Sequence, residues 1–132
     1  MSDYKCFKVD IENNIAHIQM IRPEKRNSMI PEFWDELPRI VQDIDDNVRA
    51  RVIVISSTGP HFTSGLDISA FVTADRPATD DPEAAKMARR QKGAAFYQNV
   101  KRMQQAFTCL EECRLPVLAC IQGGAKIGRA HV

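Results

Sequence analysis

The sequence reads as an α/β fold in one small domain. Three features carry that reading. Phe7, Val9 and Ile11 alternate with polar residues, and residues 15–21 return as a second strand, a period-two hairpin. Val52-Ile-Val-Ile55 is a short β-branched run of the kind found in strands buried on both faces. Two stretches with helical spacing follow the hairpin and this run. The 132 residues suit a single domain.

Each element has a local reason. Asn13-Asn14 supplies the hairpin turn, since asparagine tolerates left-handed backbone. Residues 22–28 are a polar loop. A helix is expected from Pro31, whose missing N–H is not needed in a first turn. Phe33, Leu37, Ile40 and Ile44 form its apolar stripe, and Pro38 within it predicts a kink. After the strand at 51–56, Gly65 leads into a short helix expected over 68–72. A strand that ends in small residues before a helix leaves backbone N–H groups aimed outward, able to hold an anion or a developing oxyanion.

A polar loop is expected over 73–80. Asp81-Pro82 is an N-cap followed by a first-turn proline, and starts a helix that runs to about Cys113. Phe96, Val100, Met103, Phe107 and Leu110 are its expected buried stripe. Lys86, Arg89, Arg90, Lys92, Lys101 and Arg102 give it a basic side, either a solvated face or a contact for an anionic ligand. Residues 115–121 are the next strand, with Pro116 confined to its start, and Gln122-Gly123-Gly124 opens a second glycine-led turn. The order is β-β-α-β-α-α-β.

Apolar residues make up 44%, charged residues 27%, and the net charge is +1, a balance that points to neither a nucleic acid partner nor a disordered tail. No apolar run approaches the roughly 18 residues of a membrane span. The first residues lack an apolar signal core, so a cytoplasmic location is expected. Cys109 and Cys113 share a helix face, but no second pair completes a metal site. With Cys6 and Cys120 they read as small buried hydrophobes, and no metal is expected.

Four stretches, in order, resemble the enoyl-CoA hydratase/isomerase (crotonase) superfamily. They are Ile21-Arg-Pro-Glu-Lys-Arg-Asn27, Val52-Ile-Val-Ile55, His61-Phe-Thr-Ser-Gly-Leu-Asp67 and Pro116-Val-Leu-Ala-Cys-Ile-Gln-Gly-Gly124. The Ser64-Gly-Leu-Asp67 variant and the long segment after it are most similar to the dienoyl-CoA isomerase branch. The resemblance implies a crotonase-like spiral of β-β-α units, truncated here to about half, that binds acyl-CoA thioesters. It also implies that two backbone N–H groups hold the thioester oxygen while a carboxylate moves a proton near the carbonyl. The first donor corresponds to the Leu66 backbone N–H. Ser64 and Leu66 would border the adenine end of CoA, with Gly65 between them in the CoA-binding set, and Lys25 and Arg26 resemble the loop near its phosphates; an ordinary solvated loop is the alternative for those two. Coenzyme A enters as part of the substrate, with no other cofactor. The resemblance further implies a homo-trimer or hexamer for the full-length parent, with neither nucleic acid nor membrane as partner.

The pattern departs from the family after Gly124. Gly128 falls where the second donor is expected and His131 where the first catalytic acid is expected, but their surroundings do not match and neither role is carried over. Residues 126–132 can be back-translated as AAG ATC GGA AGA GCA CAC GTC, close to a common short-read sequencing adapter. The division expected is therefore 1–124 as the N-terminal part of a crotonase-like domain and 125–132 as a non-native tail. The family's acid/base carboxylates are expected outside this chain, which by itself would be inactive and marginally stable or aggregation-prone. Asp67 is expected to cap the following helix. Three functions remain in view: an acyl-CoA hydratase/isomerase present as a fragment, a non-catalytic acyl-CoA or partner-binding module, and a non-functional piece of an incomplete gene.

Overall fold

The computed structural model describes residues 4–67, 69 and 80–125. Strands β1 (Phe7–Glu12) and β2 (Ile15–Met20) form the expected hairpin, antiparallel from Phe7 opposite Met20 to Glu12 opposite Ile15. Asn13 and Asn14 both take left-handed backbone, φ 52° and 65°, which matches the twist of a two-residue turn. Helix α1 (Pro31–Asp46) then returns the chain so that β3 (Val52–Ser57) lies parallel to β2. Helix α2 (Pro82–Glu112) is followed by β4 (Val117–Ala119), parallel to β3. The sheet order is β1-β2-β3-β4.

Pro38 lies inside α1, and the helix runs on through it as one element. Phe33, Trp34, Leu37, Ile40, Val41 and Ile44 are all buried on this helix. Six side chains at about 1.5–3 kcal/mol each outweigh the roughly 3 kcal/mol that an internal proline costs. The same helix anchors the start of the chain. The Glu36 carboxylate, 9% exposed, accepts the Cys6 N–H at 3.0 Å and the Lys5 N–H at 2.5 Å. Burial pushes the Cys6 thiol up to about 12, and the negative Glu36 adds to it. At the other end, Arg114 reaches from the turn after α2 to Asp45 at 2.8 Å, which raises the Arg114 pKa further. Arg102 pairs with Asp35 at 3.1 Å.

At the start of α2 the Asp81 side chain accepts the Glu83 N–H at 3.2 Å, the cap that the sequence calls for. The core is one-sided. Ala16, Ile18, Met20, Ile53 and Ile55 face the helices and are buried. Val52 and Val54 are only half-buried, so the expectation of a strand covered on both faces is corrected: the second sheet face has no layer over it among the described residues. The apolar stripe of α2 is corrected for the same reason. Phe96 is 70% exposed and Phe107 41% exposed, Val100, Met103 and Leu110 are half-buried, and only Ala85 and Ala106 of this helix are fully buried. Strand β4 is shorter than expected, and Cys120 beyond it is exposed rather than a core residue; Cys109 and Cys113 are half-buried.

The expected elements over 68–72 and 73–80 lie outside the described residues, apart from Ser69 and Asp80. Among the described residues no helix is long and apolar enough to cross a membrane, and no group of three metal-ligating side chains occurs.

Candidate functional site

The loop that leaves β3 is held by contacts with two other loops. Thr58 donates its N–H to the Met20 carbonyl at 3.0 Å as the strand ends. Phe62 is buried, and its N–H is shared between the carbonyls of Gln122 (2.8 Å) and Gly124 (2.9 Å). Thr63 is buried as well; its hydroxyl donates to the Asn27 carbonyl at 2.7 Å and accepts the Gly65 N–H at 3.1 Å. Gly65 can then turn, with φ 86°, in a region that a side chain would resist.

This bend fixes the direction of the next amide. Met29 donates its N–H to the Gly65 carbonyl at 2.7 Å, and Asp67 donates its N–H to the Met29 carbonyl at 2.9 Å. These two bonds make a parallel bridge between Met29 and Leu66. Such a bridge uses the groups on either side of Leu66, so the N–H of Leu66 itself points away from Met29. It donates to no acceptor among the described residues, and the Leu66 side chain is 44% exposed. An outward, unpaired amide in a braced turn is the arrangement an oxyanion donor requires.

The loop over 22–28 lies alongside. Ser64 donates its N–H to the Arg26 carbonyl at 2.9 Å, so Lys25, Arg26, Ser64, Gly65 and Leu66 belong to one cluster. Lys25 ends a single 3-10 turn, Pro23–Lys25, and Arg26 and Asn27 follow in left-handed backbone with φ 53° and 52°. Both basic side chains are exposed. Asn27, 3% exposed, ties the loops together: it accepts the Arg22 N–H at 2.9 Å and donates to the carbonyls of Thr58 (2.8 Å) and His61 (3.2 Å).

The second glycine turn closes against the first. The Gly124 N–H donates to His61 Nδ1 at 2.9 Å. Gln122 donates to the Ser57 hydroxyl at 2.8 Å and to the Gly59 carbonyl at 3.2 Å. At Gly123, φ 60°, a Cβ would sit 2.0 Å from the Pro60 carbonyl oxygen. Asn27, His61, Thr63 and Gln122 stand within the motifs that carry the resemblance, but the sequence reading gave them no role; their cross-loop hydrogen bonds supply it. Gly128 and His131 lie outside the described residues. The Asp67 carboxylate is engaged by the hydroxyls of Ser28 (3.2 Å) and Ser69 (2.6 Å), and the helix it was expected to cap is not among the described residues.

A family model described as enoyl-CoA hydratase/isomerase matches residues 10–130. The chain belongs to that family. Among curated proteins it is 36% identical over 130 residues to the mitochondrial Delta(3,5)-Delta(2,4)-dienoyl-CoA isomerase of Mus musculus, covering 94% of this chain and 37% of that protein. It is 30% identical to the peroxisomal Delta(3,5)-Delta(2,4)-dienoyl-CoA isomerase of Arabidopsis thaliana, covering 93% of this chain and 44% of the relative. The chain therefore spans less than half the length of these enoyl-CoA hydratase/isomerase relatives. Among solved structures, an enoyl-CoA hydratase from Thermobifida fusca YX in complex with CoA matches with a TM-score of 0.69 at 27% identity, over 89% of this chain and 42% of the other. The mixed sheet with helices on one face is thus a part of the crotonase-like fold.

Proposed function

We propose that this chain is the thioester-holding part of an acyl-CoA isomerase or hydratase, with the Leu66 N–H as one of two oxyanion donors. The observation that carries the reading is the Leu66 amide, without an acceptor among the described residues and aimed away from Met29 by their bridge. In this reading Ser64 and Leu66 also border the adenine end of CoA, Gly65 makes the bend between them, and exposed Lys25 and Arg26 offer charge to the CoA phosphates. Likeness to a structure that holds CoA supports this placement.

Isomerisation of a 3,5-dienoyl-CoA to the 2,4-isomer is favoured over hydration by the two dienoyl-CoA isomerase relatives. In that reaction a proton leaves C2, the electron pairs shift along the conjugated chain, and a proton is returned at C6. Negative charge gathers on the thioester oxygen in between, and one positioned amide is worth roughly 10²–10³ in rate. The Asp67 carboxylate accepts from Ser28 and Ser69, and in this reading it positions the loop rather than moving the proton.

Thermal unfolding of the chain with CoA and with acetoacetyl-CoA tests the reading. Both should raise the melting temperature, by about 2.7 kcal/mol of stabilisation at a hundredfold excess over Kd. Leu66→Ala keeps the amide and should respond like the native chain. Leu66→Pro lacks it and should lose the extra response to the thioester while keeping the response to CoA. Equal behaviour of the two variants towards acetoacetyl-CoA would refute the donor role.

A further inference from the structure

Strand β1 is an open edge of the sheet, and the phase of its hydrogen bonds is fixed. The Ile21 N–H donates to the Cys6 carbonyl at 3.0 Å, and Lys8, Asp10 and Glu12 stand opposite Gln19, His17 and Ile15. In an antiparallel ladder the bonded pairs recur every second residue, so positions 6, 8, 10 and 12 bond inward and the main-chain groups of Phe7, Val9 and Ile11 point outward. Those outward groups have no partner among the described residues. Beside this edge runs a cavity of about 710 Å³, walled by Val9, Ile11, Ile40 and Ile44, with Asp43 and Arg49 at its rim. Val9 and Ile11 are half-buried there and face the same side as the core.

We infer that β1 pairs antiparallel with β1 of a second copy of this chain, about a two-fold axis at Val9. The occupant is identified by register and charge. With Val9 opposite Val9 of the second copy, Phe7 meets Ile11 and the three outward N–H and C=O pairs on each edge are satisfied together. Lys8 of each copy then stands opposite Asp10 of the other, in the non-bonded pairs of the ladder where side chains approach more closely. Within one copy, Lys8 and Asp10 already lie on one face, 3.8 Å apart and about 60% exposed (63% and 59%), free to exchange partners. The Val9 and Ile11 side chains of the second copy enter the cavity under α1. The result is a continuous eight-stranded sheet with both α1 helices on one face.

Charge reversal at the two positions gives a test that an intrachain effect cannot mimic. Lys8→Asp alone places acid against acid twice across the axis, and Asp10→Lys alone places base against base twice. Each single variant should associate on the order of tenfold more weakly than the native chain in sedimentation velocity. Mixed in equal amounts they should form a heterodimer, because acidic positions 8 and 10 of one copy then meet basic positions 10 and 8 of the other. Val9→Pro removes one outward N–H and leaves the inward ladder intact, so it should give a monomer with native circular dichroism. A native chain that stays monomeric, single variants that fail to pair on mixing, or assembly that survives Val9→Pro each overturn the inference.

Discussion

Replacing Asn27 by alanine tests whether one buried amide organises the candidate site. Three hydrogen bonds are lost, but not all three partners are stranded. The His61 carbonyl keeps the Ser57 hydroxyl at 3.2 Å, whereas the Arg22 N–H and the Thr58 carbonyl lose the amide that served them. Each costs about 1–1.5 kcal/mol. Alanine must also adopt φ 52°, which for a residue with a Cβ and no local polar group adds about 1 kcal/mol. The sum is a loss of about 3–4 kcal/mol. Asn27→Gly removes only the backbone part and should recover about 1 kcal/mol of it. Urea unfolding followed by the fluorescence of Trp34, the single tryptophan and 3% exposed, measures both. The loop carrying Lys25 and Arg26 is released by the same change, so any stabilisation by CoA should fall with it. An alanine variant within about 1 kcal/mol of the native chain would refute the argument, as would a glycine variant as stable as the native one.

Two further outcomes are expected. Gly123→Ala would place a methyl group 2.0 Å from the Pro60 oxygen at φ 60° and should cost about 3 kcal/mol or more, while Gly93→Ala, in open space within α2, should gain up to about 1 kcal/mol; thermal melts of the pair check the contrast. Burial raises the Cys6 thiol from 9.0 to about 12 and the Cys109 thiol from 9.0 to about 11, so the folded state favours the neutral thiols. Their contribution is complete below pH 9 and is lost as pH rises toward 11 and 12, on the order of 1 kcal/mol per pH unit for each thiol. Urea midpoints between pH 8 and 11 should fall less steeply in Cys6→Ala than in the native chain.

The elements that were legible before the structure are those whose signal is local. Asn13-Asn14 needs left-handed backbone and nothing else, and Asp81-Pro82 caps a helix whatever lies around it. Apolar spacing also located α1 correctly, and its six buried apolar side chains hold it as one element through Pro38. Burial was less legible, because it depends on what covers a face. Val54 and Phe96 have the character of covered residues, yet the layer that would cover them is absent among the described residues. The site divides in the same way. The bend at Gly65 was legible because a tight turn needs glycine, whereas the roles of Ser64 and Leu66 came from the resemblance alone. The clamps at Asn27, His61 and Gln122 act across more than thirty residues of chain, so although the motifs contain these residues, nothing in the string tells which groups they bind.

Met29 links the Leu66 amide to the interior of the molecule. It is 5% exposed, and Ile30 and Phe33, at 7% and 4%, continue directly from it into α1. The amide at 66 thus inherits its stiffness from a helix, although it sits in a surface bend.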